Sequence, residues 1–148
     1  MPLHTGVAHF TVLAVSALLV MPHGLQARSQ GNNKKPSLSL KATPAVSFAP
    51  ARVVVVAEVK GGADDHEEFY CPTVEWEWGD LTTSTVEADC EPYEPGKSQI
   101  KRRYTVEHRY QNPGSFRIRL LLKKGTKIIG SANALVQVRP GLGQTGGQ

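Results

Sequence analysis

From about residue 38 onward apolar positions alternate with polar ones, and nowhere do they recur at helical spacing over a helical length. Leu38, Leu40 and Ala42 alternate with polar neighbours and predict an edge-type first strand that Pro44 ends. Val53 to Lys60 is a β-branched run, apolar on both faces at its start, as a strand in a sheet interior would be. Gly61-Gly62 breaks it, and an acidic loop, Asp64 to Glu68, follows. Val74, Trp76 and Trp78 alternate with Glu75 and Glu77, a period of two. Ile100 to Glu107 alternates less cleanly. Phe116, Ile118, Leu120 and Leu122 share one face of the next strand, Lys123 to Thr126 makes a hairpin turn, and Ile128 to Val138 returns with Ala132, Ala134, Val136 and Val138 on one side. Six or seven strands with hairpin-type links predict an all-β, immunoglobulin-like sandwich of two antiparallel sheets, and no helix is expected in it.

The start of the chain has a different pattern. Its first 27 residues contain no Lys, Arg, Asp or Glu, and Phe10 to Met21 is unbroken in apolar or small residues before Pro22 and Gly24. Twelve such residues are short for a bilayer but suit the core of an export signal, with Ala27 offering a small residue for cleavage. The expected organisation is therefore a signal peptide at 1–27, a flexible polar linker at 28–37, one domain at 38–139 and a disordered tail at 140–148. The mature chain is expected to carry no membrane span and to work outside the cell or in the periplasm.

Two cysteines, Cys71 and Cys90, lie in the exported part, where an even count predicts a disulfide. They are equidistant from the middle of Gly79-Asp80-Leu81-Thr82, the strongest turn candidate in that region. A hairpin folded there pairs Trp78 with Thr83, Trp76 with Thr85 and Cys71 with Cys90, so the bond would close the hairpin's open end.

The formal charge of +4 conceals a segregation. Glu58 to Glu94 holds twelve acidic residues and one basic, whereas Pro95 to Arg139 holds eleven basic residues and one acidic. The basic residues form no block with interleaved aromatics, and strands drawn from the two segments would neutralise one another if they were neighbours, so nucleic acid is not an expected partner.

Trp76-Glu77-Trp78-Gly79-Asp80 resembles the W-D-F-G-D-G signature of PKD (polycystic kidney disease) domains. Those domains continue with a His-x-Tyr and Pro-Gly segment, found here as His108-Arg109-Tyr110 and Pro113-Gly114 before Phe116. The resemblance covers about Leu38 to Val138; Leu81 replaces the last glycine of the signature, and the segments at 61–70 and 87–98 are longer than usual. It implies an immunoglobulin-like sandwich of the wider PKD and fibronectin-like kind, used as a non-catalytic spacer or ligand-binding module. Each motif residue also has a physical role that needs no ligand. Trp76 and Trp78 fill the centre between sheets, Gly79 permits a turn, and Asp80 accepts hydrogen bonds from nearby backbone N–H groups. Tyr110 resembles a tyrosine corner, with His108 packing or bonding beside it.

Catalytic chemistry finds no foothold in the residues. There is no nucleophile elbow, no glycine-rich phosphate loop before a helix, and no carboxylate pair that can be placed across a cleft. Asp64, Asp65 and Glu67 are the only metal candidates, for calcium, and they lack EF-hand spacing. The expected function is a binding or adhesion module for extracellular protein or polysaccharide, with no cofactor. The alternative is a structural or accessory subunit of a cell-envelope assembly.

Overall fold

The computed structural model describes residues 34–141. The expected export signal at 1–27 lies outside the described residues, as do residues 28–33 of the expected linker and 142–148 of the expected tail. Among the described residues no helix is long and apolar enough to cross a membrane.

Among the described residues eight strands form two sheets: β1 (Ser37–Thr43), β2 (Val46–Phe48), β3 (Ala51–Lys60), β4 (Thr73–Glu77), β5 (Thr83–Val86), β6 (Arg103–Tyr110), β7 (Gly114–Lys124) and β8 (Lys127–Arg139). The first sheet has the order β1-β3-β6 and the second β2-β8-β7-β4-β5. Every pair is antiparallel except β2 with β8, which is parallel. The helical element of this region is a single 3-10 turn at Glu67–Phe69 inside the acidic loop.

Period-two patterning explains which residues enter the core. Val53, Val55, Ala57 and Val59 of β3 are buried, as are Ile118, Leu120 and Leu122 of β7 and both tryptophans. Each large apolar side chain so buried contributes roughly 1.5–3 kcal/mol. In β8 the alternation changes phase: Ile129 is buried beside exposed Ile128, yet Ala132, Val136 and Val138 are also buried. A register shift at Leu122/Lys123 accounts for it. Leu122 pairs with Gly130 and Lys123 with Ile128, which leaves Ile129 as the extra residue of a β-bulge.

Two sequence expectations are corrected here, and one strand is added. The hairpin of β4 and β5 is displaced by one residue: Trp76 pairs with Ser84 and Glu77 with Thr83, instead of Trp76 with Thr85. The Trp78 N–H donates to the Thr82 carbonyl at 3.1 Å, so the loop is the odd-numbered Gly79-Asp80-Leu81. Leu81 at φ 70° supplies the left-handed residue that ends such a loop. The sixth strand runs from Arg103 to Tyr110 and not from Ile100, so His108 and Tyr110 lie on a strand. The short β2 carries no extended alternation of its own and is held by its pairing with β8.

Candidate functional site

The motif residues converge at one end of the sandwich as a continuous aromatic stack. Trp76 and Trp78, two positions apart on β4 and its continuation, lie parallel with ring centroids 5.6 Å apart. The His108 ring stacks on Trp78 at 4.2 Å, Tyr110 meets His108 edge-on at 4.7 Å, and Phe116 stacks on Tyr110 at 4.2 Å. Alternation along β4 and its continuation and within β6 makes this possible, since residues two apart project to the same face.

Hydrogen bonds fix the stack. The Trp78 indole donates from Nε1 to Ser84 Oγ at 2.9 Å, and the buried Tyr110 hydroxyl donates to the Trp78 carbonyl at 2.8 Å. His108 Nε2 lies 2.7 Å from Asp80 Oδ2. The other carboxylate oxygen, Asp80 Oδ1, accepts from the Thr82 N–H at 3.1 Å and the Thr82 hydroxyl at 2.5 Å. Gly79 sits at φ 80°, and a Cβ there would meet the Arg117 carbonyl at 2.8 Å, so the position needs glycine for both backbone conformation and space. Gly114 opens β7, and a Cβ on it would meet the Phe116 ring at 2.8 Å.

The arrangement positions a loop and offers no nucleophile. Its three hydroxyls are engaged: Thr82 with Asp80, Ser84 with the Trp78 indole and Tyr110 with the Trp78 carbonyl. Burial pushes the Asp80 carboxyl up, but hydrogen bonds from Thr82 and His108 outweigh burial and hold it below its ordinary value. A carboxyl depressed in this way contributes stability that is fully present above its unfolded value, near pH 4, and is lost as pH falls through the lower folded value. Asp80→Asn is therefore expected to be less stable than the parent at pH 7, with the gap closing as pH falls below the ordinary carboxylate range. Urea unfolding between pH 7 and pH 2 measures this; a gap that stays constant to pH 2 would contradict it.

The calcium candidates do not assemble into a ligand set. Asp64 Oδ1 is held by Arg102 Nη2 at 2.6 Å, the Asp65 carbonyl accepts from the Tyr93 hydroxyl, and Glu67 lies in the 3-10 turn. Among the described residues no three His, Cys, Asp or Glu side chains are placed to hold a metal ion. The segregated charges meet across strand pairs: Glu75 with Lys123 at 2.6 Å, Glu77 with Arg119 at 3.5 Å, and Glu58 with Arg103 at 3.1 Å. Exposed pairs stabilise little, but they break up a single positive face.

Two features emerge that the residue pattern does not announce. Leu81 is fully exposed at the loop tip although its backbone is left-handed, a conformation costly for a branched side chain. On the open side of the sandwich, an apolar cleft lies between β5 and β6. Trp76, Val86 and Tyr104 line it beside the Cys71–Cys90 disulfide. Only the unexpected Leu at a glycine position hinted at the first; the second depends on how far apart two sheet edges stand.

No protein-family model matches the chain, and no curated protein matches it. Solved structures similar to it include the PKD domain of a peptidase from a Thermoplasmatales archaeon, 14% identical with a TM-score of 0.48 over 72% of this chain and 98% of that one. A CARDB domain from Pyrococcus furiosus, solved with di-metal ions, is 13% identical with a TM-score of 0.45 over 74% and 97%. A superoxide reductase from Ignicoccus hospitalis is 12% identical with a TM-score of 0.40 over 71% and 82%.

Proposed function

We propose that this domain is a non-catalytic binding or adhesion module, exported to an extracellular or periplasmic location, that engages a protein partner through its Leu81 tip. The observation that carries this reading is the tip itself. A fully exposed leucine stands where the backbone has φ 70°, and glycine would relieve that strain. The base of the loop is rigid, because Asp80 is bonded to Thr82 and His108 and the Trp78 N–H closes the hairpin. A rigid apolar knob loses little conformational freedom on docking, which favours an anchor role. The disulfide fits an oxidising compartment. Both tryptophans are buried and give no platform for stacking on a sugar ring, which weights protein above polysaccharide as the ligand.

Leu81→Gly separates anchoring from folding. Its melting temperature is expected to stay within a few degrees of the parent, because relief of strain offsets the flexibility that glycine adds to the unfolded chain. Capture of the partner, read by retention of extracellular and envelope proteins on the immobilised domain, is expected to fall at least tenfold. Identical retention by parent and variant, or retention on glycan arrays alone, would overturn the reading.

A second reading has its own observation. The β5 strand, Thr83–Val86, is an edge strand exposed along its whole length, and its free hydrogen-bonding edge could accept a strand from a neighbouring subunit. That geometry suits an accessory subunit of a cell-envelope assembly. A stoichiometric partner whose capture survives Leu81→Gly but fails when Ser84 or Thr85 is replaced by proline would favour it.

A further inference from the structure

The cleft between β5 and β6 has a volume of about 230 Å³. Its walls are Val74 and Trp76 from β4, Val86 from β5, and Tyr104 and Val106 from β6. The Cys71–Cys90 disulfide lines the same cleft, so part of its wall is set covalently before any ligand arrives.

Gln99 and Thr105 also line it, but two polar features bear on what it would bind. Tyr104 is 8% exposed, and its buried hydroxyl has no hydrogen-bond partner. Buried polar groups are nearly always paired, so an orphaned one marks a place where a ligand atom would be stabilised. Burial also pushes its ionisation up to about 12, which keeps the hydroxyl a neutral donor at physiological pH. The second feature is Lys101, which lines the cleft with its ammonium 5.1 Å from the Tyr104 ring centroid. It takes part in none of the ion pairs formed among the described residues. An uncompensated cation beside an apolar cleft calls for an anion attached to an apolar body. A carboxylate can pair with the lysine and also accept from the tyrosine hydroxyl, and it is the simplest anion to do both. As for size, a cavity of about 150 Å³ takes up benzene, so this cleft suits one aromatic ring with a short tether.

We propose that the cleft is a binding site for a carboxylate carried on a phenyl- or indole-sized apolar group. The ring packs against Val86 and Val106, and the carboxylate lies between Lys101 and the Tyr104 hydroxyl. Free aryl-alkyl acids and the C-terminal aromatic residue of a peptide both supply that chemistry. This site is separate from the Leu81 tip and does not depend on it.

The full chain should be titrated with 3-phenylpropionate by calorimetry, with the Val86 and Val106 methyl resonances as local reporters. Saturable binding that shifts both methyls is expected. 3-Phenylpropanamide, which is the same size but uncharged, should bind at least tenfold more weakly, and Lys101→Gln should lower affinity for the acid about tenfold. Tyr104→Phe should lower it several-fold and fold at least as stably as the parent, since it removes an unpaired buried hydroxyl. Leu81→Gly should bind the acid like the parent, which separates failure of this site from failure of the docking tip. A peptide ending in a free Phe carboxylate that binds more than tenfold tighter than 3-phenylpropionate identifies the peptide terminus as the source; equal or weaker binding identifies the free acid. No saturable binding of the acid at millimolar concentration, equal binding of acid and amide, or unchanged affinity in Lys101→Gln would overturn the proposal.

Discussion

Trp78→Ala is expected to lower stability by about 3–5 kcal/mol, the usual cost of truncating a buried aromatic. Trp78 is 1% exposed and sits between Trp76 and His108 in the stack. Removing its indole leaves a cavity that those rings cannot fill without abandoning their own contacts. It also removes the hydrogen bond from Nε1 to Ser84 Oγ. Each kcal/mol lowers the melting temperature of a domain near 100 residues by about 4 °C or more, so a fall of roughly 12–20 °C is expected. Trp78→Phe keeps a ring against His108 but loses the donor, and should lose much less. Thermal unfolding followed by circular dichroism measures both. An alanine variant that melts within about 3 °C of the parent would show that the stack contributes little.

The second large effect concerns the covalent bond. Cys71 and Cys90 are 19 residues apart in sequence, and a closed loop of that size stabilises by about 3 kcal/mol in the chain-entropy model. The bond lies beyond the last ladder pair, Val74 with Val86, and so restrains a stretch that the hairpin's hydrogen bonds do not reach. Cys71→Ser combined with Cys90→Ser is expected to lower the melting temperature by roughly 12 °C or more. Reduction of the parent should reproduce that loss, and the double variant should not respond to reductant. A double variant as stable as the oxidised parent would contradict the assignment.

Residues whose environment follows from their own neighbours were legible. The alternation at Trp76 and Trp78, and at Ile118, Leu120 and Leu122, placed those side chains inside because a strand's two faces differ along its length. Positions that depend on distant partners were not. Nothing local makes Val46–Phe48 a strand; it becomes one by lying beside β8 some ninety positions later. The hairpin register slipped by one because a leucine adopted the left-handed backbone a glycine would take, giving the loop three residues instead of an even number. Ile129 turned inward because a bulge reset the phase of β8. Of the site residues, Gly79, Asp80, His108 and Tyr110 stood out through a familiar motif, whereas Tyr104 and Lys101 gain meaning only from a gap between two sheet edges.

The parallel pairing of β2 with β8 has a mechanical consequence. The chain enters β2 at Val46 beside Gln137 and leaves β8 at Arg139 beside Phe48. Tension acting between Val46 and Arg139 therefore drags these strands past each other lengthwise. The bonds Gln137 N–H to the Ala45 carbonyl and Ala49 N–H to the Arg139 carbonyl, each 2.8 Å, then share the force together instead of opening one at a time. A domain joined in this way resists stretching better than its equilibrium stability alone would suggest, because forced unfolding is governed by the rate of crossing the barrier.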